Sequence, residues 1–239
     1  MLFSAKYGFI FSQFPRSAST STALLLQPFC CPPDSKINRA AREAHTDYGI
    51  VGQRGDFEKD PGFYVHMPLE EIRARMPEGR WDASTKVSNV RNPFAIYLSR
   101  FSRYIRIGEL GPFASLQEEK RAFGEFILES GIIERGVDWL RNLFFIEASF
   151  QIDKLIHYEA LNDEISGLVK QLGLPPQQTF PHAEGSFTLL HGDDIQDYYT
   201  PQLAEHLVSL TEWMFVTFGY STDPADFRKL PDNSNLVSL

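Results

Sequence analysis

Residues 8–14, "GFIFSQF", are β-rich and apolar at nearly every position, which suits a central strand buried on both faces. Pro15 and Arg16 break that run, and a cluster of small residues follows, "SASTST", from Ser17 to Thr22. Residues 20–29 then read as a buried helix, ended by Pro32 and Pro33. A buried strand, a tight turn of small residues and a buried helix in succession constrain the chain strongly. They are the opening of an α/β unit.

The rest of the chain continues the alternation. Residues 35–55 are polar and without a clear period, an irregular excursion or a short helix around 38–44. Residues 62–66 form a short strand candidate, and 68–76, "PLEEIRARM", a helix with proline in its first turn and acids early. A third strand is expected over 84–91, an amphipathic helix over 93–107 and another helix over 116–129. The next strand candidate is 154–158. A helix over 161–172 is closed by Gly173, and 180–197 is loop-like. The last helix, over 200–218, has Pro201 near its start and Gly219 at its end. The pattern predicts an α/β fold, with a mainly parallel central sheet flanked by helices. One domain is expected over residues 1–222, with a polar tail over 223–239.

Composition removes several function classes. At 239 residues the chain buries a core without staples. A net charge of −8 argues against a general nucleic-acid binder, which needs a basic footprint, while leaving room for a local basic groove. The two cysteines, Cys30 and Cys31, are adjacent, a spacing that disfavours a bridge, and no spaced Cys/His set suggests a metal site. No stretch has the length of a membrane helix, and the apolar stub at 7–11 lacks a small-residue cleavage site. For a complete chain these are the features of a soluble cytoplasmic protein with reduced thiols.

The turn after the first buried strand has two readings. A helix start offers N–H groups without intrahelical acceptors and a favourable dipole, and small side chains let an anion approach them. Ser17, Ser19, Thr20 and Ser21 add hydroxyl donors and Arg16 a fixed charge. The same residues read equally as a serine-rich turn with a helix cap at Ser17 or Ser19. They are not a nucleotide-triphosphatase loop, which needs G-x-x-x-x-G-K-[ST]. A second constellation lies in "VRNPFAIYLSRF", residues 90–101. Arg91 ends a strand, Asn-Pro turns the chain, and Ser99 falls eight residues after Arg91, about two helical turns on. Such a pair can converge on one anionic group, or can be a surface arginine and an ordinary helix serine.

Together, "FPRSASTST" and "VRNPFAIYLSRF" resemble the PAPS-dependent sulfotransferases. The likeness is to the carbohydrate (heparan and uronyl) 2-O-sulfotransferases and their bacterial relatives. "HMPLEEIRARM", "YEALNDEISGLVKQLGLP" and "YYTPQLAEHLVSL" agree with that likeness, which covers roughly residues 7–220. The resemblance implies a three-layer P-loop NTPase-like fold. It assigns the donor's 5′-phosphosulfate to Arg16, Ser17, Ala18, Ser19, Thr20 and Ser21, and its 3′-phosphate to Arg91 and Ser99. PAPS is then the donor, PAP (3′,5′-ADP) the product, a carbohydrate or other hydroxyl the acceptor, and no metal is required. The family's loop lysine is replaced here by Arg16.

Transfer to a hydroxyl needs a base. His66, at the end of "GFYVH", is the candidate, since a histidine occupies a comparable place in the resembling family and its ordinary pKa suits neutrality. His66 also reads as a helix-capping or carbonyl-bound residue. His45 is the alternative base, and His157 reads as structural. His182, His191 and His206 have no supporting context. Arg100, Arg103 and Arg106 read as a solvated helix face that could instead meet an acidic sugar. Lys36, Arg39, Arg42 and Arg54 are cations of the irregular segment, and some of them could contact the acceptor. Tyr198 and Tyr199 read as packing residues, with stacking on a ligand as the alternative. Two other functions stand beside the transferase: a P-loop-like kinase or hydrolase, and a catalytically silent nucleotide-binding module.

Overall fold

The computed structural model describes residues 1–57, 59–129, 131–175 and 194–231. The described residues form two compact units, one of residues 1–90 with 140–175 and one of residues 91–139 with 194–231.

The first unit is built on a six-stranded mixed sheet. Its strands are β1 (Leu2–Ser4), β2 (Phe9–Ser12), β3 (Ala44–Thr46), β4 (Gly49–Val51), β5 (Thr85–Val90) and β8 (Lys154–His157). They lie in the order β3-β4-β1-β2-β5-β8. β2 pairs parallel with β5, and β5 with β8, while β1 pairs antiparallel with β2 and β4, and β3 with β4. The sheet is therefore parallel on one side and antiparallel on the other, where a mainly parallel sheet was expected. The extra strands come from residues 1–4 and 44–51, which the alternation of apolar runs did not reveal.

The segment around 38–44 forms no helix; the chain there leads into β3. The strand expected over 62–66 reduces to one bridge, Tyr64 with Gln53. The backbone donors of Gly62 and Phe63 instead go to the Glu43 carboxylate, at 2.6 and 3.0 Å. A side chain thus takes the place of a ladder partner. A small hairpin, β6 (Phe145–Ile146) with β7 (Ser149–Phe150), belongs to the same unit.

Helices α1 (Ser19–Leu26) and α6 (Leu161–Gln171) flank the sheet. Ala23, Leu25 and Leu26 of α1 and Ile165 and Leu168 of α6 share a core with Leu2, Phe9, Phe11, Val87 and Ile156. Phe9, Ile10 and Phe11 are all fully buried, so β2 is covered on both faces, as its unbroken apolar run demands. Asn89 of β5 donates to the Thr22 hydroxyl at 3.1 Å and ties α1 to the parallel strands. Helix α2 (Leu69–Arg75) buries Leu69 and Ile72. Cys30 and Cys31 are free, buried thiols, and burial holds the Cys30 thiol well above its ordinary pKa.

The second unit is helical, with α3 (Pro93–Arg106), α4 (Leu116–Leu128) and α7 (Pro201–Phe218). α5 (Glu134–Arg141), which the sequence reading had not marked, lies at the boundary in the chain. Asn92 caps α3 by accepting from Phe94 N at 3.0 Å, with Pro93 in the first turn. Phe94 lies 4.8 Å from the Tyr199 ring and 5.2 Å from Phe215, and Phe101 lies 5.3 Å from Phe123, which gives the unit an aromatic core. Tyr198 donates to Glu119 at 2.6 Å and Tyr199 to the Phe94 carbonyl at 2.8 Å, so both are packing residues. Of the loop expected over 180–197, residues 180–193, with His182 and His191, lie outside the described residues, and Ile195–Tyr198 form a 3-10 turn. Of the expected tail, 224–226 form another such turn, and 232–239 lie outside. Among the described residues no helix is long and apolar enough to cross a membrane.

Gly49 shows how tightly β1 and β4 meet. Its φ is +149°, and a Cβ there would lie 1.9 Å from the Phe3 carbonyl oxygen. Gly49→Ala is expected to lower unfolding stability by about 3 kcal/mol in urea titration. A loss below about 0.5 kcal/mol would contradict this register.

Candidate functional site

β2, β5 and β8 run parallel, so their carboxyl ends share one edge of the sheet, where α/β folds place ligands. The segment between β2 and α1 starts from that edge. Arg16 and Ala18 both have positive φ, 64° and 62°, a left-handed conformation that side chains other than glycine rarely adopt. Ala18 occupies the cap position of α1 and supplies no side-chain cap. The capping reading of Ser17 and Ser19 is therefore not what the chain does. Ser17 is buried and donates to the Phe14 carbonyl at 2.8 Å, closing the turn on itself. Phe14 packs edge-on against Phe144 at 4.9 Å, which anchors the base of the turn.

The hydroxyls of this stretch divide by role. Ser17 and Thr22 are committed to the scaffold, through Phe14 and Asn89. Thr20 accepts from the Arg54 guanidinium. Ser19, Thr20 and Ser21 open α1, whose first turn contains no acidic residue. The first N–H groups of any helix have no acceptor within it, and the dipole there is positive. Arg16, half-buried, adds its charge.

His66 belongs to the same cluster. Its Nδ1 lies 2.6 Å from the Gln13 carbonyl oxygen. A carbonyl oxygen has no proton to give, so Nδ1 carries it, and in the neutral ring Nε2 is the basic nitrogen. His66 also has positive φ, 58°. The segment that presents it is pinned on three sides. Glu43 holds Gly62 and Phe63. Gln53 donates its N–H to the Phe63 carbonyl at 2.7 Å and accepts from Val65 N at 2.9 Å. Arg75 donates to the Gly62 carbonyl at 2.6 Å.

Arg54 completes the group. Nη1 donates to Gln13 Oε1 at 3.2 Å, and the second Nη to Thr20. Sequence reasoning placed Arg54 among cations of an irregular segment that could contact the acceptor, and not at the donor loop. It follows the bridging residue Gln53 between Gly52 and Gly55, where no periodicity marks it. Gln13 was missed as well, because its position near the end of a buried apolar run reads as scaffold.

The other candidates separate. His45 is exposed, and its Nε2 is 2.6 Å from Glu43, so its hydrogen bond goes to its own hairpin and not to the loop. His157 ends β8 with Nδ1 2.8 Å from Glu164 Oε1, the structural role expected of it. Burial raises the Glu164 pKa. The hydrogen bonds and charge of His157, with Lys154 at 3.7 Å, outweigh it, and the net shift is downward. Arg91 and Ser99 belong to the second unit and are both buried. In that unit Arg103 and Arg106 are exposed, as a solvated face requires, while Arg100 lies over the Tyr97 ring at 5.6 Å. Among the described residues no group of three or more His, Cys, Asp or Glu could hold a metal ion.

A scan against family models finds no match, and neither curated proteins nor solved structures show a significant one. The sulfotransferase likeness of the two motifs therefore stands on the residues themselves.

Two measurements follow. Nitrogen-15 NMR should show His66 as the Nδ1–H tautomer once neutral; an Nε2–H tautomer would contradict the bond to Gln13. Glu164 has a depressed pKa in the folded chain, so its stabilisation is complete above the unfolded value of 4.5 and is lost as pH falls through the folded value. Glu164→Gln should therefore lower stability at neutral pH and converge with the parent in acid. A pH-independent difference would contradict the ion pair.

Proposed function

We propose that this chain is a sulfotransferase that moves the sulfuryl group of PAPS to a hydroxyl, with a carbohydrate as acceptor. The observation that carries the reading is the hydrogen bond from His66 Nδ1 to Gln13. It brings His66, the first of the two histidines considered as base, to the start of the loop expected to hold the sulfuryl donor. The same reading takes the fold as a P-loop-like three-layer α/β fold. The strand–loop–helix of β2 and α1, with β5 parallel beside β2, supports it.

In this reaction the acceptor oxygen attacks sulfur in line, the new O–S bond forms, and the bond from sulfur to the 5′-phosphate oxygen breaks. The acceptor proton goes to Nε2 of His66. The electron pair leaves on the phosphate of 3′,5′-ADP. Arg16 and the N–H groups at the start of α1 offset the charge that develops there. Arginine keeps the charge that lysine supplies in the resembling family and adds a planar fork of donors. The sequence assigns the 3′-phosphate to Arg91 and Ser99. Free thiols at Cys30 and Cys31 suit a reducing compartment, and we place the reaction in the cytoplasm.

The test is ligand selectivity. 3′,5′-ADP at a hundredfold excess over its dissociation constant should stabilise the chain by about 2.7 kcal/mol, roughly 5–10 °C in Tm. Arg16→Ala and Arg91→Ala should each reduce that shift. Stabilisation by ATP with Mg²⁺ but not by 3′,5′-ADP would overturn the donor assignment and favour a kinase or hydrolase. His66→Ala should retain the 3′,5′-ADP shift while losing about 10²–10⁴-fold in transfer rate. Full transfer activity would refute its role as base.

A further inference from the structure

We propose that Arg54 is a second cation of the donor loop and recognises the 5′ anionic end of the donor alongside Arg16. The inference rests on the sulfotransferase reading and adds a residue that neither motif contains. Three observations lead to it. First, the Arg54 guanidinium bonds both sides of the left-handed turn, Gln13 before it and Thr20 after it. Second, Thr20 is the second residue of α1, so the guanidinium sits at the positive end of a helix whose first turn brings no carboxylate. A cation is unfavourable at that end of a helix, and an anion bound there reverses the sign. Third, Gln13 joins Arg54 to the base, because its side-chain oxygen accepts from Arg54 and its main-chain oxygen from His66. A donor end held by Arg54 would thus be placed with reference to His66 through one residue. Guanidinium presents five N–H donors in a plane and suits tetrahedral oxyanions better than an ammonium does.

The assignment to one end of the donor makes it testable without any acceptor. Calorimetry with 3′,5′-ADP and with adenosine 3′-monophosphate, which lacks the 5′-phosphate, separates the ends. The parent chain should bind 3′,5′-ADP more tightly. Arg54→Ala should weaken 3′,5′-ADP by about tenfold or more and leave adenosine 3′-monophosphate within about twofold. Arg54→Lys should restore part of the difference. Arg54→Gln, neutral and of similar reach, should behave like the alanine variant and decides the matter if that variant does not fold. Equal weakening of both ligands would show a merely structural role and overturn the proposal, as would unchanged affinity for 3′,5′-ADP. A parent chain that binds the two ligands equally, or neither, would overturn the donor reading itself and this inference with it.

Discussion

Gln13 is the residue on which the candidate site depends. It sits just past the end of β2, is buried, and serves two partners at once. Its carbonyl oxygen fixes the proton of His66 on Nδ1, and its side-chain oxygen takes a donor from Arg54. The loop, His66 and Arg54 are therefore referred to one residue, which the parallel pairing of β2 with β5 holds in place. For the proposed transferase this matters, because a base and a donor loop placed by separate scaffolds could drift apart by an ångström, which is enough to cost about 10²-fold in rate.

The cost of this arrangement is local strain. Arg16, Ala18 and His66 all take left-handed φ, at roughly 1–2 kcal/mol each. None is glycine, so backbone freedom does not explain the conformation. What holds it is over-determination: Ser17 on Phe14, Arg54 on Thr20, Asn89 on Thr22, and the triple pinning of 62–65. Strain of this kind persists where the surrounding structure enforces it, and it concentrates at functional segments. The uncapped start of α1 fits the same account. A side-chain cap at Ala18 would satisfy the helix locally and occupy the place an anion would take.

What the sequence made legible follows from how local each signal is. β2 is a short apolar run, β5 and β8 are short segments built around Val87, Val90, Leu155 and Ile156, and α3, α4 and α7 carry their own period and caps, so they could be read without tertiary information. β3 could not, because Ala44–Thr46 are all exposed and show no alternation. β1 has only three residues. The run "GFYVH" has strand propensity, yet Glu43, about twenty residues earlier, takes the backbone donors that a ladder would need. At the site, His66 and the small residues of the loop were visible as chemical types in context. Gln13, and the place of Arg54 beside the loop, were not, since both lie in hydrogen bonds between segments distant in the chain.

The central claim is that this cluster transfers a sulfuryl group. The most direct measurement is transfer of ³⁵S from PAPS by the purified chain to a panel of uronic-acid-containing oligosaccharides, with the labelled product and 3′,5′-ADP quantified together. The account predicts label in an O-sulfated sugar and 3′,5′-ADP formed in equal amount. A chain that binds 3′,5′-ADP but yields neither labelled product nor 3′,5′-ADP from PAPS would contradict it and leave a nucleotide-binding module.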